Sequence, residues 1–134
     1  MLEKHTIQTK FNQLFPIHEI VKADVEKAQV TEGVCIVFCP HSTAGLTITS
    51  KMDLLGHDDI QDEYAKLIPT RIDFKHQVDT PQDAAGHIKA TISGDSLTFI
   101  VTNGELLLGS SQGVYFMEFD GPRQRTFYVK VISD

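Results

Sequence analysis

The sequence predicts a single α+β domain, mainly antiparallel β-sheet, with two to three helices in its first two-thirds. Three observations carry that prediction. At 134 residues the chain is long enough for a real core and too short for two comfortable ones. Apolar residues recur at helical spacing only in the first two-thirds. From residue 96 onward, short apolar runs alternate with turn residues, the pattern of successive antiparallel strands. No repeat or low-complexity tract divides the chain, so residues 1–134 read as one domain.

Residues 3–11 alternate polar and apolar side chains with β-branched content and predict an opening strand. Ile17, Ile20, Val21, Val25 and Ala28 then predict an amphipathic helix over 18–29, stopped by Thr31-Glu-Gly33. His18 falls in its first turn and is expected to be exposed. Val34-Cys-Ile-Val-Phe-Cys39 reads as a buried strand, and Leu46-Thr-Ile-Thr-Ser50 as a second strand beyond a loop. In such a strand the α-carbons of Cys35 and Cys39 lie about 13 Å apart. A disulfide spans at most about 7 Å, so both are expected as thiols.

Over 53–68, Ile60, Tyr64, Leu67 and Ile68 predict a second helix, closed by Pro69. Asp58, Asp59, Asp62 and Glu63 crowd its early turns, where the helix dipole favours anions. A solvated, well-capped face is the favoured reading there, and a Mg²⁺ site the sharper one. Residues 70–89 are polar and irregular, flanked by His76 and His87, with a short helix beginning near Asp83. A polar loop of that length in a compact domain is often functional. After a Gly94-Asp95 turn, strands are expected over 96–102, 105–108, 112–119 and 126–132.

The net charge of −6 argues against nucleic acid as a main partner, because neutralising phosphates needs a basic face. It leaves room for a small anionic ligand held by a local arginine pair. No apolar run approaches the roughly 20 residues that span a bilayer, so no membrane partner is expected. The amino terminus, Met1-Leu-Glu-Lys-His-Thr-Ile7, lacks the apolar core of a signal peptide, and a cytoplasmic location is the expectation.

Two clusters carry chemistry. Gly109-Ser-Ser-Gln-Gly113 sits between two apolar runs, its glycines free to turn tightly and bare backbone N–H groups. Gly109, Gln112 and Gly113 are therefore candidate phosphate-binding residues. Asp120-Gly-Pro122 is turn chemistry that places Arg123 and Arg125 just beyond a second bend, a paired guanidinium suited to an anion. The other cluster is Pro40-His-Ser-Thr-Ala-Gly45, where period-2 geometry sets Cys39 and His41 on one face and Ser42 and Thr43 add hydroxyls. A plain strand–loop–strand corner explains that cluster equally well.

With these residues in view, the chain resembles the YjbQ-like family of small proteins, to which a secondary thiamine-phosphate synthase activity has been attached. The carrying motifs are Pro40-His-Ser-Thr-Ala-Gly-Leu-Thr-Ile48, Gly86-His-Ile-Lys-Ala90 with Gly94-Asp-Ser-Leu97, and Leu108-Gly-Ser-Ser-Gln-Gly-Val-Tyr-Phe116 with Glu118-Phe-Asp-Gly-Pro-Arg123. They stand in the family's order and cover nearly the whole chain. Where the family usually carries Thr-Trp before the Gln-Gly of the last motif, this sequence has Ser110-Ser111. The acidic and asparagine-rich run after the first motif is reduced to Asp53.

The resemblance implies that His41, His76 and His87 converge, with Lys89, Gln112, Glu118 and Arg123 close by, and that the chain forms a homotrimer with sites near subunit boundaries. It implies a small phosphorylated metabolite as ligand and no organic cofactor. The implied reaction joins a pyrimidine methyl pyrophosphate to a thiazole phosphate and releases pyrophosphate. Arg123, Lys89, the loop N–H groups and Mg²⁺ would neutralise the leaving group, and His87 would hydrogen-bond or protonate it. His41 and Glu118 complete the candidate catalytic set. A competing reading makes His41, His76 and His87 ligands of a catalytic zinc in a hydrolase, with Cys39 able to replace one of them. A third is a binding module that captures a phosphorylated metabolite without turnover.

Overall fold

The computed structural model describes all 134 residues, and its core begins with alternation along antiparallel strands. Ten residues of β8 (Gln124–Ser133) set the pattern: Arg125, Phe127, Val129 and Val131 are buried, while the side chains between them face outward. β8 lies between β1 (Leu2–Gln8) and β3 (Gly33–Phe38), and β5 (Ser96–Thr102) and β6 (Glu105–Leu106) extend the sheet in the order β1-β8-β3-β5-β6. A second sheet, β2-β7-β4, comprises β2 (Leu14–Pro16), β7 (Gln112–Glu118) and β4 (Ala44–Ser50). Every pairing in both sheets is antiparallel.

The two sheets face each other across one apolar core. Cys35 and Val37 from β3, Phe99 and Val101 from β5, and Phe127, Val129 and Val131 from β8 meet Leu46 from β4 and Val114 and Phe116 from β7. Helix α1 (His18–Ala28) contributes Val21 and Val25 to the same cluster. Burying an aromatic side chain as completely as Phe116 or Phe127 contributes about 1.5–3 kcal/mol. β7 is covered on both faces, which is why nearly all its residues are buried. On its outer side Met117, with the following Phe119, packs against Leu14, against Ile60 and Tyr64 of α2 (Leu54–Leu67) and against Ala90 of α3 (Pro81–Ser93). The result is three layers: sheet, sheet and helices.

The predicted α+β architecture holds, as do α1, α2 and all seven expected strands. Asp53 caps α2 by accepting from the Gly56 N–H, and Asp58, Asp59, Asp62 and Glu63 are all exposed, the solvated face of the sequence reading. Two elements differ. α3 starts at Pro81 and continues to Ser93, longer than the short helix expected near Asp83. Its inner face is Ala84, Ala85, Gly86 and Ala90, small residues that give a weak apolar period. A Cβ at Gly86 would lie 2.9 Å from the Phe119 carbonyl oxygen, so only glycine lets α3 seat this closely. β2 was not expected; it is three residues long and forms only by pairing with β7. Both cysteines are free and buried, as expected, and burial pushes both thiols up to about 11.

One ion pair ties the layers together at the end where α3 begins. Glu118 of β7 and Arg125 of β8 are both fully buried between the sheets. Arg125 donates to Glu118 through Nε at 2.7 Å and again through Nη2. Thr9 Oγ1 donates to Oε1 at 2.6 Å and the Asp120 N–H donates to Oε2 at 3.0 Å. Burial pushes the Glu118 carboxyl up, but the hydrogen bonds from Arg125 and Thr9 outweigh it and hold the group below the usual range, ionised. Arg125→Met, which leaves this carboxylate buried without its cation, is expected to cost about 3–5 kcal/mol in urea unfolding. The double variant Glu118→Leu with Arg125→Met is expected to recover much of that loss. A cost for Arg125→Met below about 1 kcal/mol would contradict the assignment.

Candidate functional site

Thr80 caps α3, its hydroxyl accepting from the Asp83 N–H at 3.1 Å, and Pro81 occupies the first turn. Asp83 and His87 are one turn apart and share a helix face. His76 comes from the preceding loop to meet them. The Nε2 atoms of His76 and His87 lie 3.0 and 3.2 Å from the same oxygen, Asp83 Oδ2. The two imidazole rings stand edge to face, their centroids 5.0 Å apart.

Arg123 joins from the turn after β7. Its Nη2 donates to Asp120 Oδ2 at 2.6 Å and to Asp83 Oδ1 at 3.4 Å, and lies 4.0 Å from Asp79. Gln82 Nε2 donates to Asp120 Oδ1 at 2.6 Å. Only Nη2 of the guanidinium is engaged, and the side chain is 43% exposed, so Nε and Nη1 remain for a ligand. The two buried carboxyls diverge. Burial pushes Asp83 up, but the hydrogen bond from His76 and the His87 and Arg123 charges outweigh it, and its pKa is lowered. Asp120 is raised, chiefly by burial, with the neighbouring Asp83 adding to it.

His41 stands beyond the end of β3. Its Nε2 accepts the Thr126 N–H at 2.9 Å, so that nitrogen is unprotonated and the neutral ring carries its proton on Nδ1. His41 and His87 line the same cavity of about 490 Å³, with Ser42, Ala44, Thr91 and Asp95. His76 and His87 share an adjoining one of about 520 Å³, with Arg71, Phe74 and Lys75. His87 is the wall between them.

The structure thus brings His41, Ser42, His76, His87 and Arg123 to one end of the molecule. Thr43 is near them but occupied, its hydroxyl accepting from Arg125 at 2.8 Å. Glu118 is sealed in the ion pair with Arg125 and faces no cavity. Lys89 is buried on α3, where burial lowers its pKa. Cys39 lies in the core, and its sulfur is not among the donor atoms that cluster with His76 and His87. His41 also stands outside the ligand group, since the donor atoms that cluster within 4.8 Å are those of His76, Asp83 and His87.

Gly109, Gln112 and Gly113 lie at the other end of β7, about 20 Å from Glu118 along the strand. Within this loop two of the backbone donors are taken internally. The Gly109 N–H donates to Gln112 Oε1 at 2.8 Å, and the Gln112 N–H to the Gly109 carbonyl at 3.1 Å. Gly113 is a ladder residue opposite Thr49, and a Cβ there would lie 3.1 Å from His18 Nδ1 and 2.9 Å from Tyr115 Cε2. His18, expected to be exposed, is half-buried against Tyr115. The cavity beside this loop, about 460 Å³, is lined by Glu19, Glu26 and Glu105 as well as Lys22 and Lys51, a mixed wall that favours no anion.

Asp83, Asp120 and Gln82 were missed in the sequence. The Asp83–His87 spacing on one helix face was the available signal, hidden because the small inner residues of α3 give the helix a weak apolar period.

A family model described as UPF0047 protein YjbQ-like matches residues 3–134. The UPF0047 protein MJ1081 of Methanocaldococcus jannaschii is 40% identical over 100% of this chain and 96% of its own length. The UPF0047 protein YugU of Bacillus subtilis is 36% identical over 93% of each chain. A crystal structure of an uncharacterized conserved protein of the yjbq/upf0047 family from Clostridium acetobutylicum superposes with a TM-score of 0.92 at 40% identity, covering 97% of this chain and 99% of that one. A hypothetical protein from Aeropyrum pernix gives 0.93 at 28% identity, covering 100% and 99%.

Burial, followed by the Arg125 charge, lowers the His41 pKa, so the fold favours the neutral ring that accepts from Thr126. The unfolded chain takes up this proton at a higher pH than the folded one. Stability tied to His41 is therefore complete above about pH 6.5 and falls as pH drops from there through the folded-state value. Ring-nitrogen NMR is expected to place the His41 midpoint below that of a free histidine. A midpoint at or above it would contradict the assigned hydrogen bond.

Proposed function

The chain belongs to the YjbQ-like UPF0047 family, and from that premise we propose that it is a transferase acting on phosphorylated substrates. It couples a pyrimidine methyl pyrophosphate to a thiazole phosphate in the manner of a secondary thiamine-phosphate synthase. One observation carries the reading: a half-exposed guanidinium with two free nitrogens, Arg123, contacts the same carboxylate as two histidines, and one of those, His87, lines a cavity together with a third, His41.

In this reaction the thiazole ring nitrogen forms a bond to the pyrimidine methylene carbon. The C–O bond breaks, and its electron pair leaves on pyrophosphate. The barrier lies in the charge that gathers on the departing oxygens. Arg123 offers Nε and Nη1 to those oxygens while Asp120 and Asp83 hold its Nη2, a donor oriented before the reaction begins. His87, oriented by Asp83, hydrogen-bonds the leaving group. His41, which keeps an Nδ1–H, and Ser42 line the cavity beside His87.

Self-association as a homotrimer belongs to the same proposal. Leu2, Phe38, Ile100 and Ile132 lie exposed on the outer face of the five-stranded sheet, and β3 and β8 there are central strands. Apolar side chains on such a face suit burial against another copy of the chain.

The purified protein, given both precursors and Mg²⁺, is expected to form thiamine phosphate. Arg123→Ala is expected to lower kcat/KM by about 10²-fold, the scale for loss of one preorganised charge-stabilising donor. Substrate binding without product would reduce the protein to a capture module and overturn the enzyme reading.

A further inference from the structure

We propose that His76, Asp83 and His87 form the binding site of a divalent transition-metal ion of the zinc class, with Nε2, Oδ2 and Nε2 as the donor atoms. The inference names a cofactor for the site proposed above and rests on that site, but not on the coupling reaction.

The geometry carries it. Two imidazole nitrogens from different segments, a loop and a helix, converge on a single carboxylate oxygen at 3.0 and 3.2 Å. A tetrahedral ion with bonds of about 2.0–2.1 Å sets its donor atoms about 3.3–3.4 Å apart. The observed edges are within a few tenths of an ångström of that, and all three donors lie within 4.8 Å of one another. Asp83 and His87 are fixed on one helix, and Asp83 Oδ1 is turned to Arg123, which leaves Oδ2 for the ion.

The chemistry of the donors selects the class. Two imidazoles and one carboxylate suit zinc-like transition ions, whereas Mg²⁺ takes an all-oxygen shell. The histidine side chains are 38% and 39% exposed, so three protein ligands leave a position open to solvent, the arrangement of a catalytic rather than a structural ion. His41 is not a fourth ligand, since its Nε2 is taken by the Thr126 N–H. With one carboxylate as the sole anionic ligand, the loaded centre keeps a positive charge. Together with Arg123 it makes the two cations that a pyrophosphate group would bridge.

Cobalt(II) tests the donor set without any substrate. The full chain, stripped with chelator and dialysed, is titrated with Co²⁺ while visible absorption is recorded. Saturation at one equivalent per chain is expected. His76→Ala and His87→Ala are each expected to weaken binding by at least about tenfold, and His41→Ala to leave it within about twofold. His76 is a half-exposed loop residue outside the core, so its replacement leaves the fold in place. Absence of saturable binding, His76→Ala and His87→Ala proteins that bind like the wild type, or equal weakening by His41→Ala would overturn the proposal. Metal binding without product in the coupling assay would leave this centre standing and remove only the assigned reaction.

Discussion

The buried Glu118–Arg125 pair fixes the end of the sandwich on which the site is built. Each charge alone would be costly between two sheets, and each is neutralised and hydrogen-bonded there. Glu118 gathers the end of β1 through Thr9 and the turn after β7 through the Asp120 N–H. Arg125 reaches the other way, to the carbonyl and hydroxyl of Thr43 in the loop that carries His41. Four segments distant in sequence are thereby pinned within a few hydrogen bonds, and the side chains that face the cavities grow out of them.

That arrangement divides labour among residues that look alike in sequence. Arg125 stands on the core-facing side of β8, whereas Arg123 precedes the strand, lies outside its alternation and reaches the carboxyls beside α3. The buried arginine is spent on structure; the half-exposed one keeps nitrogens for a ligand. Asp83 and Asp120 divide in the same way. Both touch Arg123, but Asp83 also faces two histidines and is held ionised, while burial and its like-charged neighbour raise Asp120.

Much of the fold was legible because strands with one buried face write their period into the chain, as β5 and β8 do, while β7, covered on both faces, reads as a continuous apolar run. β2 was not, since three residues form a strand only when β7 supplies the partner. The histidine cluster was reached through family resemblance and not through spacing, because His41, His76 and His87 are brought together by tertiary contacts. The Gly109–Gly113 loop is partly closed on itself. Its glycines and polar side chains have the composition of an anion cradle, but Gln112 folds back on the Gly109 N–H, and Gly113 is small because His18 packs over it. Composition alone does not reveal which donors a loop keeps for itself.

The account stands or falls on where a phosphorylated ligand binds. Backbone ¹H–¹⁵N NMR of the labelled protein, titrated with inorganic pyrophosphate, reads this directly. Shifts are predicted to concentrate at His41, Ser42, His87 and Arg123. Shifts confined to Gly109–Gly113, with those four residues unmoved, would contradict it.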